Sequence, residues 1–207
     1  MEINCKLEEY INNQIIPEYN KNETTHGIEH IEYVINRSLK LAKKYNLNLD
    51  IAYTIAAYHD IGHHIDAKNH EKVSADIFYH DEYIHNFFND DEITVIKEAI
   101  EDHRASSKND PRSIYGKIVS DADKNTEVEI FFKRSIIYTF KYYPNYSKEQ
   151  CLERVYNYCI EKFGEEGYAK SYLEDEKYEE YLKSLRNLIK NKTEFKNMFE
   201  TIYKQIV

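Results

Sequence analysis

The sequence predicts an all-α fold, and three observations carry that prediction. Five glycines and three prolines in 207 residues are few for the many turns of a sandwich or a barrel. Apolar residues recur every three or four positions in one segment after another, which is the spacing of a single helix face. Start and stop residues bracket those segments. One hydrophobic core suffices at this length, because single cores stop growing only near ~250 residues. The expectation is therefore one domain over residues 1–207.

Ile3, Leu7, Tyr10, Ile11 and Ile15 make the first helical stripe, with Pro17 expected to close it. A polar connection, Asn20 to Thr25, leads to a second helix carrying Ile31, Val34, Ile35, Leu39 and Ala42 and running to about Tyr45. His26 and His30 stand four apart at its start, so they are expected to share a face. The third helix is placed at Ile51 to Ile61, with Asp50 as its N-cap and Gly62 ending it. Ile51, Ile55 and His59 are four apart, in line with its buried stripe.

Asn69 is positioned to cap a fourth helix with Val73, Ile77 and Phe78 on its apolar side and His70 in its first turn. The fifth, Glu92 to about His103, places His103 at the next step of the stripe Ile93, Ile96, Ile100. Ser113 caps a sixth, whose apolar residues Ile114, Tyr115, Ile118, Val119 and Ala122 lead to Asp121 and Asp123. Further helices follow. Ser147 and Gln150 form a capping box ahead of Leu152, Val155, Cys159 and Phe163, which Gly164 terminates. Tyr178 to Leu188 and Phe195 to Ile202 supply the last two stripes.

Composition excludes several classes of function. The net charge of -9, with acids and bases interleaved, argues against general nucleic-acid binding and against anionic membranes. Cys5, Cys151 and Cys159 contain no C-x-x-C pair, so neither a disulfide framework nor a thiolate zinc site is indicated. The segment Met1 to Lys6 has no apolar signal core, and no run of ~18 apolar residues occurs. A soluble, unprocessed, cytoplasmic protein is expected.

Imidazoles and carboxylates at helix ends or on buried stripes are His30, His59, Asp60, His70, His103 and Asp123, drawn from five helices. Such residues can converge only inside a helical bundle, where metal sites are built from facing helices. A buried carboxylate costs several kcal/mol unless a cation or hydrogen bonds compensate it. Nitrogen and oxygen ligands without sulfur suit Mn, Fe, Zn, Ni or Co, or Mg where oxygens dominate.

This ordered set resembles the HD-domain metal-dependent phosphohydrolases, defined by H...HD...D. His30 lies within His30-Ile31-Glu32-Tyr33-Val34, His59-Asp60 is the doublet, and Ala122-Asp123-Lys124 is similar to the family's A-D-[RK] ending. The resemblance spans about residues 26–125 and implies an HD-domain-like helical bundle, with 126–207 as additional C-terminal helices. It implies one divalent ion on His30, His59, Asp60 and Asp123. His70 and His103 are similar to the histidines with which members hold a second ion or contact phosphate. Periodicity alone does not choose between Asp121 and Asp123; the family pattern favours Asp123. Many members read H-D-I-G-K, whereas His63 stands here in place of the lysine.

The implied chemistry is attack of a metal-activated water on the phosphorus of a nucleotide or another small phosphorylated compound, with one or two ions. Between His103 and Lys124 the bases Arg104, Lys108, Arg112, Lys117 and Lys124 outnumber the acids Asp110, Asp121 and Asp123. Arg104 is the first candidate for a phosphate contact, with Lys124 and His26 beside it as candidate substrate residues. His63 or Asp66 is the candidate proton donor to the leaving group. Two other readings are weighed. One is a regulatory module that binds metal or nucleotide without turnover. The other is a zinc peptidase, since His26-Gly27-Ile28-Glu29-His30 fits H-x-x-E-H but leaves His59-Asp60 and Asp123 unexplained.

Overall fold

The structure, a computed structural model, describes residues 2–104 and 109–207. Lys108 of the basic segment lies outside the described residues. Among these residues there are ten α-helices and no strand. They are α1 (Cys5–Tyr10), α2 (Ile28–Lys44), α3 (Leu49–Tyr58), α4 (His70–Tyr79), α5 (Asp90–Asp102), α6 (Ile114–Asp123), α7 (Val128–Tyr142), α8 (Lys148–Phe163), α9 (Glu176–Lys190) and α10 (Lys192–Ile206). None is long and apolar enough to cross a membrane. The chain divides into two compact units, Met1–Asp123 and Lys124–Val207.

The first unit is built around α3. Every residue from Leu49 to Tyr58 except Asp50 is buried, and α2, α4, α5 and α6 all pack on this helix. That surround explains why the run is apolar on every side: a helix with no wet face has no amphipathic stripe. Burial of each large side chain, such as Ile55 and Tyr58, contributes about 1.5–3 kcal/mol. The hydroxyls of Tyr10 and Tyr58 both donate to Asp81 Oδ2, at 2.7 and 2.6 Å, and so tie the N-terminal segment and α3 to the turn after α4.

Several boundaries differ from the sequence reading. The first stripe does not end at Pro17. After α1 the chain widens into a π-helical turn, Ile11–Ile15, and then tightens into a 3-10 helix, Ile16–Lys21, with Pro17 in its first turn, where a missing N–H costs nothing. The N-cap of α3 is Asn48, whose side chain accepts from Asp50 N at 2.9 Å. Asp50 itself accepts from Asn4 N at 2.8 Å. Helix α3 stops at Tyr58, well before Gly62, and no glycine in the described chain has a positive φ.

Gly62 has a different task. A Cβ there would lie 2.7 Å from Val73 Cγ1 and 2.9 Å from Ser74 N, so its missing side chain is what lets α4 press on the turn after the doublet. Gly62 N donates to Ser74 Oγ at 3.0 Å across that contact.

The second unit packs α7 against α8 and α10, and α9 against α8. Ser147 and Gln150 form the expected capping box of α8. Its core contains Phe132, Val155, Cys159, Leu185, Phe195 and Phe199, from all four helices.

Candidate metal centre

Helix α3 delivers His59 and Asp60 at its frayed end, and the local backbone decides what they can do. Past Tyr58 the chain tightens, with Ile61 N bonding Tyr58 O and His63 N bonding Asp60 O. His59 Nδ1 donates to the carbonyl three residues back, Ala56, at 2.8 Å. The same device recurs at His70, whose Nδ1 meets Ala67 O at 3.1 Å, and at His103, whose Nδ1 meets Ile100 O at 2.6 Å. A carbonyl can only accept, so each Nδ1 carries a proton, and in the neutral ring each Nε2 presents a lone pair. Fixing the tautomer this way is what a histidine ligand requires.

Those lone pairs converge on Asp60, which is 2% exposed at the centre of the first unit. Its Oδ2 faces His30 Nε2 at 3.7 Å and His59 Nε2 at 3.6 Å. Its Oδ1 faces His70 Nε2 at 3.3 Å and His103 Nε2 at 3.4 Å. Asp123, the last residue of α6, brings Oδ1 to 3.1 Å from His30 Nε2 and 3.9 Å from His59 Nε2. Among the described residues three overlapping groups with metal-ligand spacing result: His30, His59 and Asp123; Asp60, His70 and His103; and His26, His30 and Asp60. Asp121 belongs to none of them.

A cation is the physical solution to this arrangement. Among the described residues, His30 Nε2, His59 Nε2 and Asp60 Oδ1 are buried without a hydrogen-bond partner, and each such orphan costs about 1–3 kcal/mol, more if charged. Donor atoms sharing one ion at about 2.0–2.2 Å stand roughly 3–3.6 Å apart, close to the separations here. The residues therefore fit a divalent ion of the nitrogen- and oxygen-binding kind, in one or two positions. Burial pushes His59 down to about 4, which favours the neutral ring with its lone pair at Nε2. Burial also works against the charge of Asp60, but His59, His103 and His26 outweigh it and hold that carboxyl well below the usual range.

The remaining sequence candidates separate. His26 lies not in α2 but in a short 3-10 helix, Thr24–His26, and its Nδ1 is 2.7 Å from Asp60 Oδ2. His63 stacks on His26 with ring centroids 4.0 Å apart and stands 5.2 Å from the His70 ring. Burial and the neighbouring His26 push His63 down to about 4. Asp66 is not in the cluster; it accepts from Lys68 N at 2.9 Å and Asn69 Nδ2 at 2.8 Å, shaping the turn into α4.

Arg104 bridges helices, donating to the Lys68 carbonyl and to Glu71 Oε2 at 3.1 Å. Lys124 belongs to the second unit, where it donates to the Lys170 carbonyl and lies over the rings of Tyr172 and Tyr178. Arg112 is gripped by Asp102, Glu101 and Glu98. Glu29, the base of the peptidase reading, is exposed, and its two histidines sit in different helices.

Three supporting residues had no signal in the sequence. Arg37 donates to the Ala122 carbonyl at 3.0 Å, one residue before Asp123. Tyr19 and Asn22 reach the backbone of Asp60 from about 40 positions upstream. Contacts so distant in the chain leave no local periodicity to read.

The HD domain family model matches residues 27–126. The chain is also similar to a solved crystal structure described as a predicted HD superfamily hydrolase, from an uncultured Thermotogales bacterium. The two are 22% identical with a TM-score of 0.48, over 75% of this chain and 87% of that one. No curated protein matches.

Proposed function

We propose, from the match of residues 27–126 to the HD domain family model, that the chain is a divalent-metal-dependent phosphohydrolase acting on a nucleotide or another small phosphorylated compound. The observation that carries this reading is the division of labour at Asp60: Oδ1 faces His70 and His103, whereas Oδ2 faces His30 and His59 and meets His26 Nδ1 at 2.7 Å. A single buried carboxylate placed in this way suits a bridge between two cation positions.

His30, His59, Asp60 and Asp123 would hold the first ion, and His70 and His103 together with Asp60 the second. When bound, such an ion lowers the pKa of water from 15.7 to about 7 and screens phosphoryl oxygens. The chain's own residues do the rest. The carbonyls of Ala56, Ala67 and Ile100 keep three imidazoles in the ligating tautomer. His26 and His63, stacked together and only partly buried, face incoming substrate. Burial and the neighbouring His26 lower the proton affinity of His63; a phosphate anion beside it would raise that affinity, so that the ring takes a proton from solvent and passes it to the leaving oxygen. Arg104, held by Glu71, orients a phosphoryl group.

The test pairs composition with turnover. His59→Ala together with Asp60→Ala is expected to remove bound metal and phosphate release together while leaving the helical circular dichroism near wild type. A phosphate-release screen over nucleotides, cyclic dinucleotides and sugar phosphates, run with Mn, Fe, Zn, Ni, Co and Mg, identifies substrate and metal. Metal content and activity that both survive the double substitution would refute the site.

A further inference from the structure

Both peptide polar groups of Asp60 are held by one upstream segment that lies outside the matched family region. The Tyr19 hydroxyl accepts from Asp60 N at 3.2 Å and donates to the Ala57 carbonyl at 2.9 Å. The Asn22 side-chain amide donates to the Asp60 carbonyl at 3.0 Å and to the His26 carbonyl, also at 3.0 Å. Its oxygen accepts from His64 N at 3.0 Å and lies 3.2 Å from His64 Nδ1. Tyr19 is 1% exposed.

The placement follows from helix geometry. A 3-10 helix has three residues per turn, so positions 19 and 22, at the end of Ile16–Lys21, fall on the same side. Where α3 stops, Ile61 N turns to Tyr58 O, and the Tyr19 hydroxyl fills the gap left between Ala57 O and Asp60 N. A backbone held at both its N–H and its C=O fixes the Asp60 Cα–Cβ bond, the base from which the carboxylate is aimed.

We propose that Tyr19 and Asn22 are positioning residues of the metal centre: they aim Asp60 so that its two oxygens divide between the two histidine pairs. Asn22 additionally fixes the His26 carbonyl and the His64 backbone, so the same amide sets the turn on which His63 sits. The proposal rests on the metal-centre reading above. Supporting groups of this kind typically change metal affinity 10–100-fold when removed.

The experiment uses the full chain and Co²⁺ as the probe, with affinity and visible absorption spectrum recorded for wild type, Tyr19→Phe, Asn22→Ala and Tyr53→Phe. Tyr53 is the control: it lies on α3, the helix that leads to Asp60, is 4% exposed, and donates its hydroxyl to Asn12 Oδ1 at 3.2 Å. Tyr19→Phe and Asn22→Ala are expected to weaken Co²⁺ binding about 10–100-fold and to alter the cobalt bands, with helix content retained. Tyr53→Phe is expected to match wild type in both. If Tyr19→Phe does not fold, Asn22→Ala decides. Wild-type affinity and spectrum in the folded site variants would overturn the proposal, and so would an equal loss in Tyr53→Phe, which would mark a general effect of α3 stability. Absence of Co²⁺ binding by wild type would instead overturn the metal-centre reading, and this proposal with it.

Discussion

The Nε2 atoms of His70 and His103 face each other across 3.1 Å, at the start of α4 and the end of α5. Each ring has committed its Nδ1 to a carbonyl, so two lone pairs point into one space, with Asp60 Oδ1 as their third neighbour. A cation there resolves the repulsion. His70→Ala is therefore expected to lower metal content by one equivalent per chain without abolishing binding at His30, His59 and Asp123. Elemental analysis after dialysis measures this, and unchanged stoichiometry would remove the second position from the site.

Metal removal should cost stability. An ion that binds only the folded chain stabilises it by about 2.7 kcal/mol at a hundredfold excess over Kd. For chains of this size 1 kcal/mol corresponds to roughly 2–4 °C. Chelation should thus lower Tm by roughly 5–10 °C, and Mn²⁺ or Co²⁺ should restore it. The His59→Ala, Asp60→Ala variant should show no shift in either direction.

Gly62 is predicted to be intolerant of even one methyl group. The new Cβ would meet Val73 Cγ1 at 2.7 Å and the Ser74 backbone at 2.9 Å, and a backbone atom cannot rotate aside. Gly62→Ala should destabilise by about 1–3 kcal/mol, read by urea denaturation. Because the displaced helix carries His70, metal affinity should fall with it. Adding Val73→Ala relieves the side-chain part of the clash alone, so recovery should be partial.

The thiols give a check on the second unit. Cys5 is exposed, whereas Cys151 and Cys159 are buried. Burial pushes Cys159 up to about 12 and raises Cys151 as well. A thiol reagent at pH 8 should find one fast group in the native chain and three in denaturant. Rapid modification of two or three groups natively would contradict the packing of α8.

Much of the candidate site was legible because its candidate ligands sit where local rules apply. His59 and His103 continue apolar stripes, His70 opens a helix and Asp123 closes one, so each could be placed from helical periodicity and capping residues. The errors were of another kind. Pro17 was read as a stop, although a 3-10 turn accepts it; Asp50 was read as a cap, although Asn48 takes that role and Asp50 bonds Asn4. Gly62 was read as a helix terminator, although close approach to α4 is what requires it. In each case a neighbouring segment outweighed the local preference.

The sequence by itself determined the helical class, most helix positions and the ordered set of His30, His59, Asp60 and Asp123, because amphipathic spacing and residue chemistry are properties of short stretches. Only the tertiary structure decided that Asp123 rather than Asp121 meets His30, that Asp66 belongs to a turn, and that Tyr19 and Asn22 grip Asp60. Those outcomes depend on hydrogen bonds and packing between segments tens of residues apart. Such contacts are chosen by how α2, α3 and α6 fit around a common core, and no single stretch of chain encodes that fit.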